Sequence, residues 1–181
     1  MDQMVVQNFQ CLDIQVFHII NSWPHSFLLN SIALLIHFLT YGGVVLLVLL
    51  YLEWQTKNPK KQLLSKLGLY AFLLINLLTE IILKFSVRRL RPYDSLDQVY
   101  IVLPKPGGFS FPSTQTALAF SLATLFLLIF PKKIVSYIIL GLAILTGLGR
   151  IYMGHHYPSD VFCGAILGIF ISFLLRKVVT S

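Results

Sequence analysis

Residues 112–133 read Pro-Ser-Thr-Gln-Thr-Ala-Leu-Ala-Phe-Ser-Leu-Ala-Thr-Leu-Phe-Leu-Leu-Ile-Phe-Pro-Lys-Lys. From Ser113 to Phe130 the run has no charge. Pro112 precedes it where a helix can begin, Pro131 stops it, and two lysines follow. An uncharged helix of about this length is close to what a bilayer requires. Further apolar runs cover Leu67 to Val87, Ile134 to Leu148 and Pro158 to Leu175. Another runs from Phe27 to Tyr51, interrupted by Thr40-Tyr41-Gly42-Gly43, where a helix is expected to bend or break. Residues 12–21 are too short and polar to span, and their apolar side suits the headgroup region. The expected fold is an all-α integral membrane bundle of about five transmembrane helices plus a short N-terminal interfacial helix, with residues 1–181 as a single domain.

Composition agrees. Of 181 residues, 56% are hydrophobic and 12% charged, and mean hydropathy is +0.79, too apolar for a soluble domain. The net charge of +7 accompanies no basic run of the kind that binds nucleic acid, so no nucleic-acid partner is expected. Cys11 and Cys163 lack metal-ligand or redox spacing. The N-terminus does not read as a cleaved signal peptide.

Lys57, Lys60, Lys61, Lys66, Lys132, Lys133, Arg176 and Lys177 fall on one side of the expected bundle, which the positive-inside rule makes cytoplasmic. Lys84, Arg88, Arg89, Arg91, Lys105 and Arg150 fall on the other and need a different explanation. A charge at membrane depth faces a polar cavity or a partner, and several forked guanidinium groups suit a phosphate. Arg88, Arg89 and Lys105, in or beside the loop of residues 88–112, read equally well as interfacial cations. Glu80, four residues before Lys84, is placed to pair with it.

Ser113 and Thr114 open a helix, so free backbone N–H groups there can bind an anion; the same residues also serve as a plain N-cap. His156 and Asp160 share a face if their turn is helical, and the carboxylate could fix the imidazole tautomer and leave the other ring nitrogen free as nucleophile or base.

Three motifs in residues 84–160 resemble those of the type 2 phosphatidic acid phosphatases, membrane members of the superfamily that includes vanadium haloperoxidases. Lys-x6-Arg-Pro is present as Lys84 to Arg91-Pro92. Pro-Ser-Gly-His appears as Pro112-Ser113-Thr114-Gln115, and Ser-Arg-x5-His-x3-Asp as Gly149-Arg150, then His156 and Asp160. The resemblance implies that Lys84, Arg91 and Arg150 bind phosphate with help from Ser113 and Thr114. It also implies that His156 attacks phosphorus, that Asp160 orients it, and that a phosphohistidine forms without metal or other cofactor.

Gln115 stands where the family's general acid would be. An amide donates a hydrogen bond but cannot deliver a proton, and general acid catalysis contributes about 10² to 10⁴ in rate. A diphosphate substrate removes the need, because its leaving phosphate has a second pKa of roughly 6. Otherwise another histidine substitutes, with His155 nearest in sequence and His18, His25 and His37 further away, or the protein binds without turnover. Gly149 in place of serine removes one expected hydroxyl contact. The expected activity is hydrolysis of a lipid phosphate or diphosphate, such as undecaprenyl diphosphate, at the periplasmic or exterior face of a bacterial cytoplasmic (inner) membrane. Lipid A or phosphatidylglycerophosphate hydrolysis, lipid phosphotransfer and non-catalytic binding are the alternatives.

Overall fold

The computed structural model describes residues 3–180, and among them there is helix and loop but no strand. The helices are α1 (Gln3–Asn21), α2 (Phe27–Leu39), α3 (Gly42–Gln55), α4 (Pro59–Asn76), α5 (Lys84–Val87), α6 (Pro92–Ser95), α7 (Thr114–Ile129), α8 (Ile134–Tyr152) and α9 (Pro158–Thr180), with a π-helical segment, Leu77–Leu83, joining α4 to α5. The boundaries follow local chemistry. Asn58 caps α4 by accepting from Lys60 and Lys61, and Pro59 supplies the first residue. Pro158 does the same for α9.

The expected interruption of the first apolar run is present: α2 and α3 meet at a 45° bend, with Thr40 and Tyr41 between them. The continuous stretch Pro59–Ser95, α8 and α9 are long and apolar enough to cross a membrane, and α2 with α3 makes a fourth. α7, at 16 residues, extends only about 24 Å, so three to four spans are supported by length and composition where the sequence suggests about five. α1 begins well before the expected residue 12, and α8 continues past residue 148 to Tyr152, which puts Arg150 in a helical last turn rather than a loop.

The short helix α7 is central. It packs on α4, α8 and α9 and buries Ala117, Leu118, Ala119, Ala123, Leu125 and Ile129. Its contact with α9 is close because Gly164 and Gly168 face it: a Cβ on Gly168 would sit 2.1 Å from the Ala117 carbonyl oxygen. This is small-residue helix packing of the kind membrane bundles use. Ser121 and Ser172 satisfy each other across the seam at 2.7 Å. The tight α7–α9 pair fixes the start of α7 beside the start of α9.

Candidate active site

Three buried cations converge near that junction. Lys84, Arg91 and Arg150 are 8%, 3% and 6% exposed, and each arrives for a local reason. The π-helical segment ends at Lys84, and such segments recur at functional sites. Arg88 then takes the left-handed conformation (φ 51°) and ends the helix. Arg91 is extended (φ −76°, ψ 157°) and precedes the short helix α6. Arg91 donates from Nε to the Gly108 carbonyl at 3.0 Å and from Nη1 to the His155 carbonyl at 3.2 Å. Arg150 comes from the last turn of α8, its Nη1 3.1 Å from His37 Nδ1. Its buried Nε has no hydrogen-bond partner among the described residues.

Gly154 (φ 79°) turns the chain after α8; a Cβ there would lie 2.5 Å from the Tyr100 carbonyl oxygen. This turn delivers His156, 3% exposed. Arg91 Nη1 lies 3.3 Å from His156 Nε2. Guanidinium only donates, so Nε2 presents its lone pair and the proton belongs on Nδ1, which lies 3.6 Å from Asp160 Oδ2. Burial first, then Arg150, Arg91 and Lys84, hold the His156 imidazole well below the ordinary histidine value. It is an uncharged base or nucleophile at neutral pH.

The expected Glu80–Lys84 pair is present at 2.6 Å. Among the described residues neither Arg91 nor Arg150 has an ion pair, and a phosphate dianion would supply one. Thr114 donates to Glu80 Oε1 at 2.5 Å, so its hydroxyl braces the carboxylate that holds Lys84. Ser113 Oγ accepts from the Thr116 backbone N–H and lies 2.8 Å from Thr116 Oγ1, an N-cap arrangement. Gln115 Nε2 donates to the His37 carbonyl and to Thr40 Oγ1, each at 3.1 Å. The side chain at the general-acid position is thereby tied to the end of α2.

His155 is 1% exposed, with burial and then Arg150 lowering it to about 2, so in this arrangement it holds no proton to donate as an imidazolium. His25 is stacked at 4.7 Å on Tyr152. Arg88 is exposed, and Lys105 lies 5.2 Å over the Tyr93 ring.

Arg89 is neither a surface cation nor a member of the cluster. It donates from Nη1 to Asp160 Oδ1 at 2.7 Å and to Ser159 Oγ at 2.6 Å, and from Nη2 to Asp13 Oδ2 at 2.6 Å. Sequence reasoning missed Asp13 and Ser159. The available signal was periodicity: Asp13, Phe17 and Asn21 recur every four residues on one stripe of α1, and all three are buried.

A bundle with helices long and apolar enough to cross a membrane thus holds a lone-pair-bearing histidine beside three buried cations, an arrangement suited to an anionic group such as phosphate. Residues 64–181 match the PAP2 superfamily, and the chain belongs to it. An undecaprenyl-diphosphatase of Sulfolobus acidocaldarius is 36% identical over 97 residues, 52% of this chain and 46% of that relative, so the match spans about half of its length. The undecaprenyl-diphosphatase BcrC of Bacillus subtilis is 31% identical over 84% of this chain and 76% of its own. Other relatives carry the name lipid A phosphatase. Among solved structures, Aquifex aeolicus LpxE superposes with a TM-score of 0.76 at 31% identity, over 92% of this chain and 95% of that one. The relatives named here are phosphatases, which are hydrolases.

Proposed function

We propose that this protein is an integral membrane lipid phosphatase whose favoured substrate is a polyprenyl diphosphate, and that it acts through a phosphohistidine. The observation that carries the reading is the position of His156 Nε2, 3.3 Å from Arg91 Nη1 with Asp160 behind Nδ1. Lys84, Arg91 and Arg150 clamp the terminal phosphate, with backbone N–H groups of the first turn of α7 completing the clamp. His156 Nε2 forms a bond to the terminal phosphorus as the bond to the bridging oxygen breaks, releasing a polyprenyl monophosphate. Water then cleaves the P–N bond. The three side-chain cations stabilise the developing charge, so the reaction should resist chelators.

Gln115 favours the diphosphate. A leaving phosphate needs no proton, whereas a monoester alkoxide, with a conjugate acid near roughly 16, does. Lysine placement supports an exterior site: the α3–α4 and α7–α8 connections and the end of α9 carry the basic residues, at the end of the bundle opposite His156. By the positive-inside rule this supports a site at the periplasmic or outer face of a bacterial inner membrane.

The test is phosphate release by purified protein in detergent with chelator, comparing undecaprenyl diphosphate with phosphatidic acid. Release from the diphosphate that His156→Ala abolishes is the expected result. Binding without release would make the protein a lipid-phosphate binder, and phosphate recovered on a second lipid would make it a phosphotransferase.

A further inference from the structure

α1 reaches the catalytic turn through three buried residues. Asn21 donates to the Tyr152 and Tyr100 carbonyls and accepts from Tyr100 N–H. The Phe17 ring packs 5.7 Å from that of Tyr157. Asp13 accepts from Ser159 N–H at 2.9 Å, from Ser159 Oγ at 2.5 Å and from Arg89 at 2.6 Å. Asn21 and Phe17 already anchor α1 without a buried charge. A buried carboxylate is a costly anchor, and its place in this chain of charges suggests another role. Arg89 and Asp160 alone form a neutral pair; with Asp13 the group behind His156 carries a net charge of −1.

We propose that Asp13 is a positioning residue for His156, acting through Arg89 on Asp160, so that the N-terminal helix is a working part of the active site. The inference rests on the phosphohistidine reading. As Nε2 bonds to phosphorus the ring becomes cationic, with Nδ1 3.6 Å from Asp160 Oδ2, and it returns to neutral when water takes the phosphoryl group. Asp13 shares the charge of Arg89, which leaves Asp160 an effective negative field toward the ring. The groups facing His156 are Lys84 from α5, Arg91 from the extended segment, Arg150 from α8, Asp160 from α9 and the Ser110 backbone. Among the described residues, the side-chain charges facing His156 other than Asp160 are positive, so negative reinforcement arrives from behind Asp160.

The test compares Asp13→Asn, Arg89→Gln and the double variant, with kcat and KM measured against pH per folded molecule on undecaprenyl diphosphate. Asp13→Asn should lower kcat roughly 10- to 100-fold, as loss of an outer partner of an oriented histidine does, with KM within about twofold. The acid limbs should move in opposite directions, down in pH for Asp13→Asn and up for Arg89→Gln, because the first removes a negative charge and the second a positive one. The double variant should cost no more than the worse single one. Ser159→Ala and Asp13→Glu, milder changes, cover the case in which Asp13→Asn does not fold: Ser159→Ala should lower kcat and Asp13→Glu should restore part of it. Unmoved acid limbs, or wild-type kcat in every folded variant, would overturn the proposal. If wild-type protein releases no phosphate, the phosphatase reading itself fails; the relay is then read from the pH dependence of orthovanadate binding, where the same opposite shifts are required.

Discussion

The two sides of His156 are built on opposite principles. On one side Lys84, Arg91 and Arg150 gather, and among the described residues only Lys84 of the three has an ion pair, with Glu80. On the other, Arg89 is held between Asp13 and Asp160, with contacts of 2.6 to 2.7 Å and Ser159 closing the group. Buried charge left uncompensated indicates a place for a ligand, whereas compensated buried charge holds geometry. The same residue type therefore does two jobs three contacts apart, from Arg89 through Asp160 and His156 to Arg91, and what separates them is the company each arginine keeps.

The largest expected effect tests that division. Arg150→Gln should lower kcat/KM about 10²- to 10³-fold, the usual cost of one preorganised donor to a developing oxyanion, while the melting temperature without ligand holds or rises because a repulsive charge is gone. Arg89→Ala should instead destabilise the fold by about 3–5 kcal/mol, since two buried carboxylates lose their partner. Paired melting curves and phosphate-release assays read both. Equal destabilisation by the two changes would erase the distinction.

Acid should act on the turn between the two sides. His155 and His156 are both held below the ordinary histidine value, by burial first and then by Arg150. Below about pH 6.5 the unfolded chain binds protons at these rings that the folded chain does not, so stability is lost as pH falls. The slope is about 1.4 kcal/mol per pH unit for each ring involved. Thermal melting between pH 7 and 5 measures it, and His155→Phe should flatten the dependence. A melting temperature independent of pH would mean that the rings are protonated in the folded state.

Much of the cation cluster was legible in the sequence, because its members lie in short motifs at helix ends: Lys84 with Arg91, and Arg150 with His156 and Asp160. The break at Thr40-Tyr41 and the proline-marked helix starts were legible for the same reason, since local backbone chemistry decides them. The Asp13–Arg89 side was not, because Asp13 and Ser159 are 146 residues apart and their meeting depends on how α1 packs. Nor does composition reveal that α7, the most clearly delimited apolar run, is short and central rather than an ordinary lipid-facing span.

Gln115→His sharpens the comparison from the cation side. The present amide is tied to α2 through His37 and Thr40, and an imidazole there supplies a protonatable group near the leaving oxygen. Phosphatidic acid hydrolysis should rise by about 10-fold or more, part of the general-acid contribution, with diphosphate hydrolysis little changed. Phosphate release from the two lipids, measured side by side, decides it. A variant that gains nothing on the monoester would mean that the missing acid does not set substrate choice.

The smallest effect concerns Ser113, which the family resemblance assigns to phosphate and the geometry assigns to the α7 N-cap. Its hydroxyl is engaged with Thr116, and its backbone N–H donates to the Asp160 carbonyl at 3.0 Å. Ser113→Ala removes the cap but keeps the backbone contact, so it should cost about 1 kcal/mol of stability and leave KM for undecaprenyl diphosphate within about twofold. Ser113→Thr should restore the stability. If KM instead rises about tenfold while the melting temperature stays fixed, the hydroxyl turns toward phosphate when substrate binds, and Ser113 belongs with the cations rather than with the residues that hold the frame.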